Sequence, residues 1–420
     1  MRSLATATAV AILAVACGGV GDAARRADPQ ADAPAGEVVA TASATGEASP
    51  VREPIVTTDE GCDGDSFFFW QEGCEPARSI EYDELLPGGP PPDGIESIDD
   101  PRFVDVEEAA SWLDDASPVM VVEVDGDVRI YPLGILTWHE IVNDVVGGVP
   151  LVVTYCPLCN SALAFERTVE VGGEEEVLEF GTTGQLHRSN LVMYDRQHHN
   201  MWIQFDGEAV VGERFLGRRL ERVPAWLLGF ADAVELHGDA PVLSRTTGFI
   251  RSYGHNPYIG YDEVDREPFL FDGELDERYP PMTRVVGISH AGGAVTVLAD
   301  ELAGAGVVEV TVGGEELVVL WAPGQASALE GGGVDDGRDV GQTAVFRNEL
   351  SGAALALSPD GDGRFVDEAS GSTFDLRGRT VDGPHAGRAL DVVPHEDTFW
   401  FTWAAFHPQT RIHGAATAPR

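Results

Sequence analysis

Val149-Pro150-Leu151-Val152-Val153-Thr154-Tyr155-Cys156-Pro157-Leu158-Cys159-Asn160-Ser161-Ala162-Leu163-Ala164-Phe165-Glu166-Arg167 decides the fold. The run before Tyr155 reads as a buried strand, and the run after Asn160 reads as another. Between them, two thiols stand three positions apart. Pro157 falls where a type I turn favours proline, so the pair is expected in a tight turn joining two strands. Such a turn holds its first and fourth Cα atoms within about 7 Å, and a disulfide needs roughly 4.4–6.8 Å. The turn can therefore carry a disulfide, a dithiol or a metal.

Outward from this hairpin the pattern stays β-rich. Val119 to Val124 reads as a strand, Asp125-Gly126-Asp127 as a turn, and Val128 to Tyr131 as a second strand. Leu133 to Val142 carries apolar residues at helical spacing, with His139 and Glu140 inside it. Val106 to Asp114 suits a short helix. Val177 to Phe180 and Leu191 to Tyr194 read as further strands.

Shifted by 166 residues, the sequence matches itself. Val145 to Val153 lies on Thr311 to Val319, Pro157 on Pro323, and Ser161-Ala162-Leu163 on Ser327-Ala328-Leu329. Asp195 and Trp202 match Asp367 and Phe374 with small gaps. The fold class read from this is α+β, β-rich, with two tandem pseudo-repeat halves of short strands and a few short helices. The halves span 101–262 and 280–416, joined by a linker at 263–279. On this register Cys156 falls on Ala322, Cys159 on Gln325 and His139 on Ala305. The expectation is that Trp321 to Gln325 makes the same turn without sulfur, so that the thiols are an addition serving chemistry.

The ends of the chain give its expected location. Residues 1–17 read as a lipoprotein-type signal peptide: Arg2, an apolar run too short to span a bilayer, and Leu13-Ala14-Val15-Ala16-Cys17. Cys17 is the lipidation residue, and the membrane is the partner through that lipid. The alternative is a secreted protein. Residues 18–56 lack periodicity and read as a disordered tether. Residues 57–100 form a segment stapled by a Cys62–Cys74 disulfide, in keeping with an extracytoplasmic location.

The 420 residues carry 70 acidic and 27 basic side chains, for a formal charge of −43, and every basic residue is Arg. Such a surface excludes nucleic-acid binding, which draws its affinity from cations on phosphate.

Three functions fit the Cys156–Cys159 turn. As a redox dithiol it needs a group that lowers a thiol pKa, and His139, His187 and Arg196 are the supporting candidates; a thiol-redox protein is then the partner. As a metal site it binds zinc or copper through Cys156, Cys159, His139 and His187, with His198, His199, Met193 and Met201 near in sequence. As a structural disulfide it belongs to a non-enzymatic scaffold or binding module. No cofactor is certain.

VTYCPLCNSALAFER, FGTTGQLHRSNLVMYDRQHHNMW and LSRTTGFIRSYGHNPYIGY in the first half, with VVLWAPGQASAL and FWFTWAAFHPQTRI in the second, resemble the bacterial family called domain of unknown function 3179 over about residues 85–415. The residues that match its pattern are Tyr155, Cys156, Pro157, Cys159, Tyr194, Asp195, Arg196 and Trp202. The resemblance implies no established activity. Some relatives are described as selenoproteins, which implies redox or metal chemistry at the cysteine positions. Tyr155, Pro157, Tyr194, Asp195 and Trp202 are expected to shape the site, with Asp195 and Arg196 as an ion pair at its floor.

Overall fold

A computed structural model describes residues 52–55 and 76–415. Cys17, Cys62 and Cys74 lie outside the described residues, as do the signal peptide and nearly all of the tether. The described part is β-rich with a few short helices.

The run around Val119 forms the strand Pro118–Val124, which pairs antiparallel with Asp127–Pro132. Its residues 118–122 are buried on both faces. Met120 and Val122 enter one core with Val152, Leu163 and Phe165, while Val119 and Val121 enter another with Val318, Leu320 and Phe346. A strand covered on both sides needs a continuous apolar run rather than an alternating one, and Val119-Met120-Val121-Val122 supplies it.

A helix, Leu133–His139, follows, then the strands Ile141–Val146, Val149–Cys156 and Ser161–Glu166. The helix ends before the expected Val142. Glu140 turns left-handed at φ 59°, and Ile141 and Val142 belong to the next strand. Their apolar side chains serve a buried strand, whose spacing a short helix mimics.

The same series of two strands, a helix and two strands occurs again: Arg284–His290, Gly293–Leu298, the helix Ala299–Ala305, Val307–Val312 and Glu315–Ala322. Each series also receives a late antiparallel neighbour. Ala225–Gly229 joins Pro118–Val124, and Glu396–Phe399 joins Arg284–His290. Each of these late strands leads directly into a helix, Phe230–His237 or Trp400–Phe406, which returns the chain to a short parallel strand.

The two stretches diverge after their last common strand. Val149–Cys156 turns within four residues and pairs with Ser161–Glu166. Glu315–Ala322 pairs with Gln342–Arg347, and residues 323–341 leave the sheet in between. Trp321 to Gln325 therefore does not repeat the Cys156 turn, and Ser327 to Leu329 are not a strand. The segment serves the core instead, where Ala328, Leu329 and Val334 pack beneath the first hairpin. The apolar side chains that aligned with Ala162 and Leu163 are core residues by a different route.

Candidate functional site

Cys156 ends its strand opposite Ser161, the first residue of the next. The Cys159 amide donates to the Cys156 carbonyl at 3.2 Å, and the Asn160 amide to Pro157 at 3.2 Å. Asn160 closes the loop in the left-handed region at φ 51°, where asparagine is tolerated best after glycine. The strand Glu396–Phe399 pins the turn from outside. The Thr398 hydroxyl and the Phe399 amide donate to the Cys159 carbonyl at 2.7 and 3.3 Å, and the Asn160 side chain donates to the Asp397 carbonyl at 3.2 Å.

Both cysteines are free thiols, 2% and 0% exposed. Their nearest polar neighbours come from the tight turn of another hairpin, Phe180–His187 with Asn190–Asp195. Arg188 and Ser189 are both left-handed there, at φ 51° and 67°, the backbone of a type I′ turn. The Ser189 carbonyl stands 3.9 Å from the Cys156 sulfur and 3.6 Å from the Cys159 sulfur. The Asn190 side-chain amide donates to the Cys159 sulfur at 3.5 Å and to Gln204 Oε1 at 2.8 Å. Gln204 in turn donates to the Thr154 hydroxyl and the Ser161 carbonyl, and the Ser161 hydroxyl donates back to Gln204. These side chains are buried and bonded to one another, so Asn190 is fixed with one N–H aimed at Cys159.

The two thiols are thereby made unequal. Burial works to raise both. At Cys159 the neighbouring Cys156 thiol and the Asn190 donor outweigh it and set the thiol below its ordinary range. At Cys156 burial, the hydrogen bond given to Cys159 and the charge on that sulfur act together and push the thiol well above it. Cys159 is thus the more acidic sulfur of the two.

Beside the turn lies a cavity of about 470 Å³. Leu158 and Leu191 line it near the thiols. Tyr258, Tyr261 and Phe269 line it from the chain between Leu243 and Arg284, a stretch without helix or strand. Glu140 also lines it and is 9% exposed. Its amide closes the helix onto Leu136, but its carboxyl makes no hydrogen bond to a described residue. Burial is the main cause that pushes that carboxyl up to about 8. The sequence reading passed over Glu140 as one more helical residue. A signal was present: at the 166-residue shift it falls on Gly306, which ends the corresponding helix at φ 72°. Glycine is the ordinary residue for a left-handed helix end, and a glutamate there accepts strain.

A family model described as Protein of unknown function (DUF3179) matches residues 92–410. The chain belongs to this family. No curated protein and no solved structure matches it.

The DUF3179 pattern residues divide between two places. Tyr155, Cys156, Pro157 and Cys159 form the turn, where the buried Tyr155 hydroxyl donates to Asn160 Oδ1 at 3.3 Å. Asp195 and Trp202 organise a different hairpin end. Asp195 accepts from the amides of His198 and Asn200 and from the Trp202 indole, at 2.7, 3.0 and 2.9 Å. Asp195 and Arg196 are not an ion pair at the site floor. Arg196 instead ties three segments together through Asp93, Asp99 and Glu179, and Tyr194 donates to Asp93. Both residues of the expected pair are thus engaged in holding backbone.

The histidines of this DUF3179 chain stand apart from the sulfurs' hydrogen bonds. His139 is bonded to the Glu96 carbonyl and the Tyr253 hydroxyl, each at 2.6 Å. His187 packs edge-on to Phe406, and burial, then Arg52 and Arg188, hold it down to about 3. Leu186 lines the cavity, whereas His187 packs on Phe406 instead. His198 pairs with Glu176. Among the described residues no three His, Cys, Asp or Glu side chains gather as a metal-ligand set. What the sequence reading missed is contributed from a distance: Asn190 from a neighbouring strand, Gln204 from the turn after another, and Thr398 from a strand near the end of the chain.

Proposed function

We propose that this DUF3179 protein performs thiol–disulfide redox chemistry at Cys156 and Cys159, with Cys159 as the thiolate and Cys156 as its proton-bearing partner. The observation that carries the reading is the asymmetry of the pair. A bonded network of Thr154, Ser161, Gln204 and Asn190 fixes one N–H donor on Cys159, while among the described residues no side-chain amide donates to Cys156. A disulfide with only a mechanical role has no use for a preorganised thiolate donor; a reactive dithiol does.

The remaining parts of the proposal come from sequence pattern. The protein is exported and held at the membrane by lipidated Cys17, with a tether between lipid and fold and a Cys62–Cys74 staple. It has two tandem halves, 101–262 and 280–416, of which the first carries the thiols. The recurrence of the strand–strand–helix–strand–strand series supports the two halves. The second half also serves the site, through Thr398.

Titration of thiolate ultraviolet absorbance tests the assignment. One early ionisation is expected in the wild type, kept in Cys156→Ser and absent in Cys159→Ser. An early ionisation that survives Cys159→Ser overturns it.

A further inference from the structure

The dithiol reading leaves open what meets the sulfurs. Both sulfurs are buried and neither lines the cavity beside the turn; Leu158, which stands between them in sequence, does, so only a small substrate passing Leu158 meets them. The 470 Å³ cavity is within the range of small-molecule sites, roughly 300–1,000 Å³. Its wall is largely apolar, with Leu158, Tyr258, Tyr261 and Phe269 on the side described above. Glu140 brings to it a carboxyl that is nine-tenths buried and has no partner among the described residues. Leaving a buried carboxyl unpaired costs free energy, and so does the left-handed backbone that presents it. The structurally corresponding Gly306 incurs neither cost. The half-buried Tyr258 side chain also makes no hydrogen bond to a described residue, and it lines the same cavity as Glu140. Arg266, the one cation of the wall, is held by the Gly260 carbonyl at 2.8 Å. The net charge of −43 repels anions before they arrive.

We infer that this cavity is the substrate site of the dithiol, that it takes a small neutral or cationic disulfide, and that Glu140 shuttles the protons of the exchange. The inference rests on the dithiol reading. The Cys159 thiolate attacks one sulfur of the substrate; its S–S bond breaks, and the leaving thiolate takes the proton of the Glu140 carboxylic acid. The Glu140 carboxylate then removes the proton of Cys156, whose sulfur attacks Cys159 in the mixed disulfide. The second thiolate leaves with that proton, handed on from Glu140. The substrate gains two electrons and two protons and departs as two thiols. The protein is left with a Cys156–Cys159 disulfide and an ionised Glu140. Each of the three groups suits its role. A lowered thiol is the nucleophile, a carboxyl that keeps its proton at neutral pH is the acid, and a raised thiol needs a base.

The test is the rate at which the reduced full-length protein is oxidised by 2-hydroxyethyl disulfide, cystamine and oxidised glutathione, each over a range of concentrations. Saturation is expected with the first two, and a rate at least tenfold lower with the anionic glutathione disulfide. Glu140→Gln is expected to slow the first two by about 100-fold, the lower end for a lost proton-transfer group. Its dithiol–disulfide equilibrium in dithiothreitol buffers should stay near that of the wild type. Leu158→Trp, which fills the cavity and leaves both thiols in place, should slow them as well. Equal, unsaturable rates for all three compounds, or wild-type rates in both variants, overturn the inference while a reversible dithiol equilibrium still upholds the redox reading. A wild-type protein that forms no reversible disulfide in those buffers overturns both.

Discussion

The hairpin at Val149–Glu166 and the strands at Glu315–Arg347 begin alike and end differently. Each opens behind a short helix and pairs with the strand before it. The first then turns tightly through Pro157-Leu158-Cys159-Asn160, and the second lets residues 323–341 wander off to cover the first half's core. The helix ends differ in the same sense, with Glu140 in one and Gly306 in the other. The shared parts are strands and helices that any copy of this fold requires. The divergent parts lie at the ends of those elements, and in the first stretch that is where thiol, carboxyl and cavity meet. The second stretch has no tight turn to compare, so it does not show that the thiols are dispensable to the fold. The case for chemistry rests on the bonding around them.

The comparison can be broken most severely at the sulfurs. Cys159→Ser is expected to lower disulfide exchange by at least about 100-fold, with circular dichroism unchanged, because a hydroxyl of similar size keeps the polar contacts but not the nucleophile. An exchange rate close to wild type would place the chemistry elsewhere.

The helix ends offer a sharper, reciprocal test. Glu140→Gly makes the first series like the second. It should stabilise the protein, because it removes a buried carboxyl and a strained left-handed residue. The carboxyl is pushed up to about 8 in the folded state, so its cost is absent below the ordinary carboxylate range, grows as pH rises and is complete above pH 8. The gain from the carboxyl at pH 9 is on the order of 5 kcal/mol at most, from ~1.4 kcal/mol for each tenfold change in its acidity. At pH 4 only the backbone relief of about 1 kcal/mol remains. Denaturant unfolding at the two pH values measures the difference, and a pH-independent gain would contradict the buried carboxyl.

Asn190→Leu removes the donor on Cys159 and strands the Phe205 amide, which bonds to Asn190 Oδ1 at 2.9 Å. A loss of about 2–3 kcal/mol is expected, with thiolate formation moved to higher pH. If ionisation is unmoved, Asn190 is only scaffolding. The smallest effect is the reverse exchange, Gly306→Glu. It should cost about 1–2 kcal/mol for the left-handed backbone, with a Cβ meeting Pro359 Cγ at 2.8 Å, and leave disulfide exchange intact.

Much of this was legible in sequence. Val119–Val122 and Val149–Thr154 are β-branched runs bounded by turn residues, and they are strands. Pro157 marked the turn correctly, and the motifs pointed to the right family. What was not legible depends on contacts across long sequence distance. Nothing local marks Asn190 as a sulfur ligand or Thr398 as a clamp on Cys159, since each lies far along the chain from the turn. Glu140 was hidden because a helix end and a following buried strand together imitate a longer amphipathic helix. Asp195, Arg196 and Trp202 drew attention as motif residues, yet they hold a hairpin and three segments in place, which a motif alone cannot distinguish from chemistry.

The central claim is that Cys156 and Cys159 are a working redox couple. Its most direct test equilibrates the protein in dithiothreitol and glutathione buffers and counts alkylated thiols by mass. The account predicts that both thiols are lost and regained together, at a midpoint of about −200 to −270 mV, the span of glutaredoxins and thioredoxin. A midpoint below about −300 mV, where structural disulfides lie, or two thiols that never pair, would contradict it.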